Sequence, residues 1–358
     1  MEIVVSVHNA SRPVERAVAS ALRNSISLRV TVIVHNTAPE GIRERLGAIL
    51  SDPRVRMLEL QDGVRSPANA FNFGLEHASG DFLCLVGSDD ELESGAVDAW
   101  ASLAARESAD VVVAPIRRAE SGGVPAPRVR RGRIAPLDGD RDRLFERVAP
   151  LGLVRLARFP GLRFSEGLPR GVDQIFGLHL WFSGARVAFD PSTPAYVEWD
   201  DQKDRVTKSG DALIDNFRYL DLFDGDAVFR SMTRSARRAV VARMLRVYVV
   251  GSIPSRLTET GLTDDDRTAL ASILERLRLW APGVDGLLAW RDRRAIAAAL
   301  DPLRSGADVR AAIGDRSRFF RADVLLTVNP LLVLHRHAPL RSLLAGRRVA
   351  RAVAASTP

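Results

Sequence analysis

The sequence of 358 residues holds a single cysteine, Cys84, and only two lysines, Lys203 and Lys208. One thiol excludes a disulfide framework and any zinc site built on cysteine pairs. Cys84 lies within the apolar run Phe82 to Val86 and reads as a small core residue. A membrane-spanning helix needs about 20 apolar residues in a row. The longest apolar runs, Val247 to Ile253 and Val324 to Leu334, fall short of that, and Pro330 interrupts the second. The N-terminus opens directly on a strand pattern and lacks the charged, apolar and small-residue regions of a signal peptide, so a cytoplasmic location is expected.

The shortage of lysine does not make the chain acidic. Lys plus Arg number 51 against 44 Asp plus Glu, for a formal charge of +7 and a pI near 10.5, and arginine carries nearly all of it. That balance favours anionic partners such as nucleotide diphosphates, acidic polymers or membrane surfaces. Nucleic acid is not an expected partner, because the basic residues are dispersed and no aromatic-interleaved patch accompanies them. With 46% hydrophobic residues the chain can bury a sizeable core, and its length predicts two domains.

The first 116 residues alternate between strand and helix patterns. Ile3 to Val7 reads as a buried strand, and Val14, Ala17, Val18, Ala21 and Leu22 then repeat at helical spacing. Strands over Val30 to Val34 and Val55 to Leu60 flank a helix over Ile42 to Leu50. Further on come a helix over Leu92 to Leu103 and a strand over Val111 to Pro115. Such alternation predicts a doubly wound, mostly parallel sheet. Residues 117–137 are rich in Pro, Gly and Arg and read as an exposed basic loop. A mixed region follows to residue 210, with a helix over Gly171 to Phe182 and a strand over Val187 to Phe189. Residues 211–358 read as a helical domain, with helices over Arg237 to Val250, Asp264 to Leu279, Asp292 to Leu300 and Pro339 to Ala355.

The stretch Ser66 to Leu92, SPANAFNFGLEHASGDFLCLVGSDDEL, carries the chemistry. A helix ends at Ser79-Gly80, a buried strand follows, and Asp89 and Asp90 come directly after it. Carboxylates at the C-terminal end of a central strand lie where open α/β sheets bind ligands, and hard oxygen donors there suit a divalent cation carrying phosphates. The same residues, Ser88-Asp89-Asp90-Glu91, also form a capping box for a helix beginning near Glu91. Both readings stand on these residues alone.

Over residues 2–210 this order of motifs resembles the family-2 glycosyltransferases, inverting enzymes with a Rossmann-like A-type fold that use nucleotide-diphosphate sugars. The resemblance rests on Val7-His8-Asn9 after the first strand, on Asn72-Phe73-Gly74 with Ala78-Ser79-Gly80-Asp81, and on Ser88-Asp89-Asp90. It continues in Phe164-Ser165-Glu166 and Gly171-Val172-Asp173-Gln174. It implies Asp173 as the catalytic base and Val7, His8, Asn9, Asn36, Asn72, Ser88, Asp89 and Arg205 as donor-binding residues. It further implies Mn²⁺ or Mg²⁺ held by Asp89 and Asp90, and a UDP-sugar as donor. The acceptor it implies is a hydroxyl of a glycan, a bacterial wall polymer or a lipid-linked saccharide. Domain boundaries on this basis are a catalytic domain at 1–210, with a nucleotide-sugar half at 1–116 and an acceptor half at 138–210, and helices at 211–358.

Three positions depart from the pattern. His35-Asn36 replaces the acidic pair after the second strand, Phe71 replaces an Arg, and Gly87 stands first in the Asp-X-Asp motif. These departures favour the alternative of a degenerate relative that binds nucleotide or glycan without turnover. Retention of Asp89, Asp90 and Asp173 favours the enzyme, and the absence of Gln-X-X-Arg-Trp favours non-processive transfer. In the tail, Leu340, Leu343, Leu344 and Val349 beside Arg341, Arg347, Arg348 and Arg351 suit either peripheral contact with anionic lipid or an oligomer-forming or solvated helix.

Overall fold

The computed structural model describes residues 1–148, 151–201, 211–314 and 320–355. The first strand, β1 (Glu2–Val7), has every residue but Ser6 buried, as its apolar residues Ile3, Val4, Val5 and Val7 require. Helix α1 (Val14–Leu22) packs Val14, Ala17, Val18 and Ala21 inward and returns the chain to β2 (Arg29–His35). Helix α2 (Pro39–Leu46) and β3 (Val55–Leu60) complete one side of the sheet. The chain then crosses through α3 (Pro67–Glu76), opened by Ser66 accepting from the Ala68 amide, to β4 (Phe82–Gly87) on the other side of β1.

A two-residue strand, β5 (Glu91–Leu92), precedes α4 (Ala96–Glu107) and β6 (Val111–Val113). The helix expected to start near Glu91 therefore begins at Ala96. Ser88 to Glu91 caps no helix. Next come β7 (Ile116–Arg118), β8 (Gly122–Gly123), β9 (Gly152–Arg155), α5 (Gln174–Phe182), β10 (Val187–Ala188) and β11 (Tyr196–Glu198). The main sheet has seven strands in the order β10-β6-β9-β4-β1-β2-β3, all parallel except β9. A second sheet, β5-β11-β7-β8, stands beside it. Strand order reverses between β1 and β4, and ligands bind such sheets outside the carboxyl ends of the strands at that point.

The basic stretch 117–137 is not a free loop. It contains the β7–β8 hairpin, Arg130 pairs with the buried Asp142, and Arg128 pairs with Glu146. Helix Pro339–Ala355 lies on this hairpin with Ser342, Ala345, Val349 and Val353 buried; of the apolar residues read from the sequence only Val349 is buried, Leu340 and Leu343 are half-buried and Leu344 is exposed. Arg348 also donates to the Val129 carbonyl at 2.8 Å.

The helices after residue 210 share a core with the preceding region. Phe145 and Leu178 belong to the same apolar cluster as Leu220, Leu245, Leu274 and Ile296. His179 of α5 meets Asp226 at 2.7 Å. Among the described residues no helix is long and apolar enough to cross a membrane.

Candidate active site

A cavity of about 750 Å³ opens where β1 and β4 end, walled by His8, Asn9, Arg12, Ser88, Asp89 and Arg118 among others. The side chain of Val7 is fully buried in the core and does not reach it, so this residue contributes only by ending the strand. Asn9 turns its Oδ1 onto the Ser11 amide at 2.9 Å, which shapes the turn into α1.

Asp89 and Asp90 have different surroundings. Asp89 pairs with the buried Arg12, and Arg16 donates to its backbone carbonyl. Its other carboxylate oxygen has no protein partner among the described residues. Asp90 accepts from the Tyr196 hydroxyl at 2.6 Å and from the Trp199 amide at 3.2 Å. Burial pushes the Asp90 carboxyl up to about 6, against the opposing pull of the Tyr196 hydrogen bond. The Tyr196 hydroxyl in turn accepts from the Gly87 amide at 2.9 Å, so Asp90 fastens β11 to the end of β4.

Divalent cations of the Mg²⁺ type take one or two protein carboxylates and complete their shell with phosphates and water. Asp89 fits that demand. Asp90 does not, because both of its oxygens already accept from Tyr196 and Trp199. Among the described residues no cluster of three His, Cys, Asp or Glu side chains surrounds a common point.

The expected base-reading residues are occupied elsewhere. Asn36, at φ 52, donates to Asp62 and to the Val64 carbonyl, both at 2.9 Å, and accepts from the Asp62 and Gly63 amides. His35 meets the same carboxylate at 2.9 Å. Hydrogen bonds from Val64, Asn36, His35 and Asn69 outweigh desolvation and hold the Asp62 carboxyl well below the usual range. Asn36 thus shapes the wall through loop 62–66. Asn72 is likewise structural: its amide donates to the Phe164 carbonyl at 3.0 Å and to Glu166 at 2.7 Å, and its oxygen accepts from the Phe164 amide at 2.8 Å. It is buried and lines neither cavity.

A second cavity of about 260 Å³ adjoins the first and shares Arg65, Ser66, Pro67, Phe71 and Gly87 with it. Asp173 lies in its wall. The residue is the N-cap of α5, yet its side chain makes no capping hydrogen bond, so the carboxylate is not consumed by the helix. Burial raises its pKa, opposed by its own backbone amide and by the charge of Arg243. Gly171, at φ 72, opens this turn against Tyr219, where a Cβ would meet the ring at 2.5 Å.

Residues 2–159 match the model of glycosyl transferase family 2. The match covers less than half of the chain, which over those residues is similar to that family. Its fold is the A-type glycosyltransferase fold, followed by helices. The crystal structure of Staphylococcus aureus TarS 1–349 in complex with UDP-GlcNAc is similar over 87% of this chain and 90% of that one, with a TM-score of 0.70 and 14% identity. The same protein in complex with UDP covers 89% and 92%, with a TM-score of 0.66 and 14% identity. No curated protein is similar in sequence.

Within the matched residues the structure gathers His8, Asn9, Asn36, Ser88, Asp89 and Asp90 around one cavity, and puts Asp173, beyond them, in the next. Arg205 lies outside the described residues. Arg12, Arg16 and Trp199 were not legible as site residues. Arg16 stacks over Trp199 at 4.5 Å and pairs with Asp201 at 2.9 Å, an arrangement that only the return of β11 creates.

Proposed function

We propose that the protein is an inverting, non-processive glycosyltransferase that moves a sugar from a nucleotide diphosphate to a hydroxyl of a glycan, wall-polymer or lipid-linked acceptor. The reading is carried by the placement of Asp173 in a cavity that adjoins the one holding Asp89 and shares five of its wall residues, Arg65, Ser66, Pro67, Phe71 and Gly87. The nucleotide diphosphate, with UDP as the first candidate, occupies the larger cavity between Arg12, Arg118 and the ends of β1 and β4. The acceptor enters the smaller one. Asp173 accepts the proton of the acceptor hydroxyl as that oxygen forms its bond to C1 of the sugar. The bond from C1 to the diphosphate oxygen breaks with its electron pair leaving on phosphate, which inverts the configuration in one step.

Asp89 is the residue that would hold a Mg²⁺ or Mn²⁺, which when bound neutralises charge on the leaving diphosphate. Arg12 fixes the Asp89 carboxylate at one oxygen and adds positive charge to the same wall. Burial of Asp173 suits a base that must lose water before it works, and its raised pKa brings it nearer the operating pH.

The deciding experiment is nucleotide release from a panel of nucleotide sugars with Mn²⁺, Mg²⁺ or EDTA, in the wild type, Asp89→Ala and Asp173→Asn. Turnover of one donor that EDTA and both substitutions abolish is the expected result. Binding of a donor without turnover, even with acceptors supplied, would establish a binding module instead. Failure of every nucleotide sugar to bind would end the proposal.

A further inference from the structure

The chain has three tyrosines, and two of them, Tyr219 and Tyr248, stand with Asp173 although they come from the helices after residue 210. Gln174, the residue after Asp173, is buried, and its side-chain amide donates to the Tyr248 hydroxyl at 2.8 Å. Arg243 donates to the same hydroxyl at 2.6 Å and lies 4.9 Å from the Tyr248 ring centre. Tyr219 packs its ring on Gly171 at the start of the turn, and its buried hydroxyl has no hydrogen-bond partner among the described residues.

The alignment of Arg243 with Tyr248 has a backbone cause. Neighbours along an α-helix are three or four residues apart. Arg243 and Tyr248 are five apart, and the helix between them, Met244–Val249, is a π-helix, whose i→i+5 turn sets such residues one above the other. π-Helical turns are rare and cluster at functional sites.

We propose that Arg243 and Tyr248 are positioning residues for Asp173: through Gln174 they hold the turn that presents its carboxylate to the acceptor cavity, and Arg243 brings a positive charge to that network. The proposal rests on the reading of Asp173 as the base. It makes the helical region a working part of the active site.

Among the described residues, the other charged and titratable groups around Asp173 are Arg65 and Arg170, which line its cavity, and Tyr219. Desolvation drives the Asp173 carboxyl toward its neutral form, and its own backbone amide and the charge of Arg243 act against that. Loss of Arg243 therefore moves ionisation to higher pH.

The test follows the Asp173 carboxyl carbon by NMR in full-length protein labelled at aspartate, with the signal identified by its loss in Asp173→Asn. Its titration midpoint rises in Arg243→Gln and stays nearer the wild-type value in Arg243→Lys. In parallel, Tyr248→Phe lowers kcat for UDP-GlcNAc hydrolysis by roughly ten- to a hundredfold, as a displaced base does, with UDP affinity unchanged. An unmoved midpoint in a folded Arg243→Gln protein, or wild-type kcat in Tyr248→Phe, overturns the proposal. If Arg243→Gln fails to fold, Tyr248→Phe carries the test, and if UDP-GlcNAc is not turned over, the midpoint decides. Turnover by Asp173→Asn at the wild-type rate would instead refute Asp173 as base, whatever the midpoint shows.

Discussion

A Cβ on Gly87 would lie 2.6 Å from Oδ2 of Asp90, so the space that a side chain at 87 needs is already taken by the neighbouring carboxylate. The Asp-X-Asp pattern is thus not merely missing a residue. Asp90 is held in place by Tyr196 and the Trp199 amide, and cannot yield cheaply. Restoring the motif by Gly87→Asp is expected to cost about 1–3 kcal/mol of stability in urea unfolding, the usual range for overpacking, and to lower rather than raise turnover. Gly87→Asp combined with Asp90→Gly should recover part of that loss, since contacting sites couple. A stable, more active single variant would contradict the account.

Asp90 should leave a pH signature. Its folded pKa, about 6, lies above the ordinary aspartate value of 3.8, so the fold favours the neutral acid. The stabilisation this provides is fully present below about pH 4 and is lost as pH rises through about 6. Asp90→Asn cannot titrate. The stability of the wild type relative to Asp90→Asn is therefore expected to fall between pH 4 and pH 6.5 in urea titrations, and to level off beyond. A difference independent of pH over that window would show that Asp90 is not protonated in the fold.

The main elements were readable because each is a run of a single period. The apolar strand of residues 82–87 and the Val14, Ala17, Val18, Ala21 stripe fix strand and helix by periodicity alone, and the tail helix from Pro339 to Ala355 has the bounds its pattern gives. What sequence could not give is who faces whom across the fold. β9 inserts antiparallel between β4 and β6 from about 40 residues downstream, and nothing in Gly152–Arg155 announces that place. Asn72 had the position of a ligand-binding residue in its motif but turned to satisfy the Phe164 backbone. Asp90, expected to hold a cation, accepts from Tyr196 and from the Trp199 amide. Arg12 follows a turn read only as a helix entry, and its pairing with Asp89 spans 77 residues.

Asn72 makes a prediction that separates fold from binding. Asn72→Ala leaves the Phe164 amide and carbonyl without their side-chain partner in a buried setting, and each such loss costs about 1–3 kcal/mol. Thermal unfolding should fall accordingly. UDP affinity measured well below the new midpoint should match the wild type, because the side chain reaches neither cavity. Loss of UDP binding in a folded variant would return Asn72 to the donor site.

The C-terminal helix offers a last test, since its amphipathic pattern suits a lipid surface as well as a protein one. The structure uses a different stripe from the leucines of that pattern: Ser342, Ala345, Val349 and Val353 are buried, a Cβ on Gly123 would lie 2.6 Å from the Ala350 carbonyl oxygen, and Arg348 reaches Val129. Lifting the helix onto a membrane would expose the hairpin it covers and break these contacts. Its outward face carries arginines, with Leu344 58% exposed. Deleting residues 339–358 is therefore expected to lower the thermal midpoint by several degrees and to uncover apolar surface that binds a hydrophobic dye. Should the shortened chain keep its midpoint and lose only its co-sedimentation with anionic vesicles, the helix would be a membrane element docked at little gain, and the packing argument would fail.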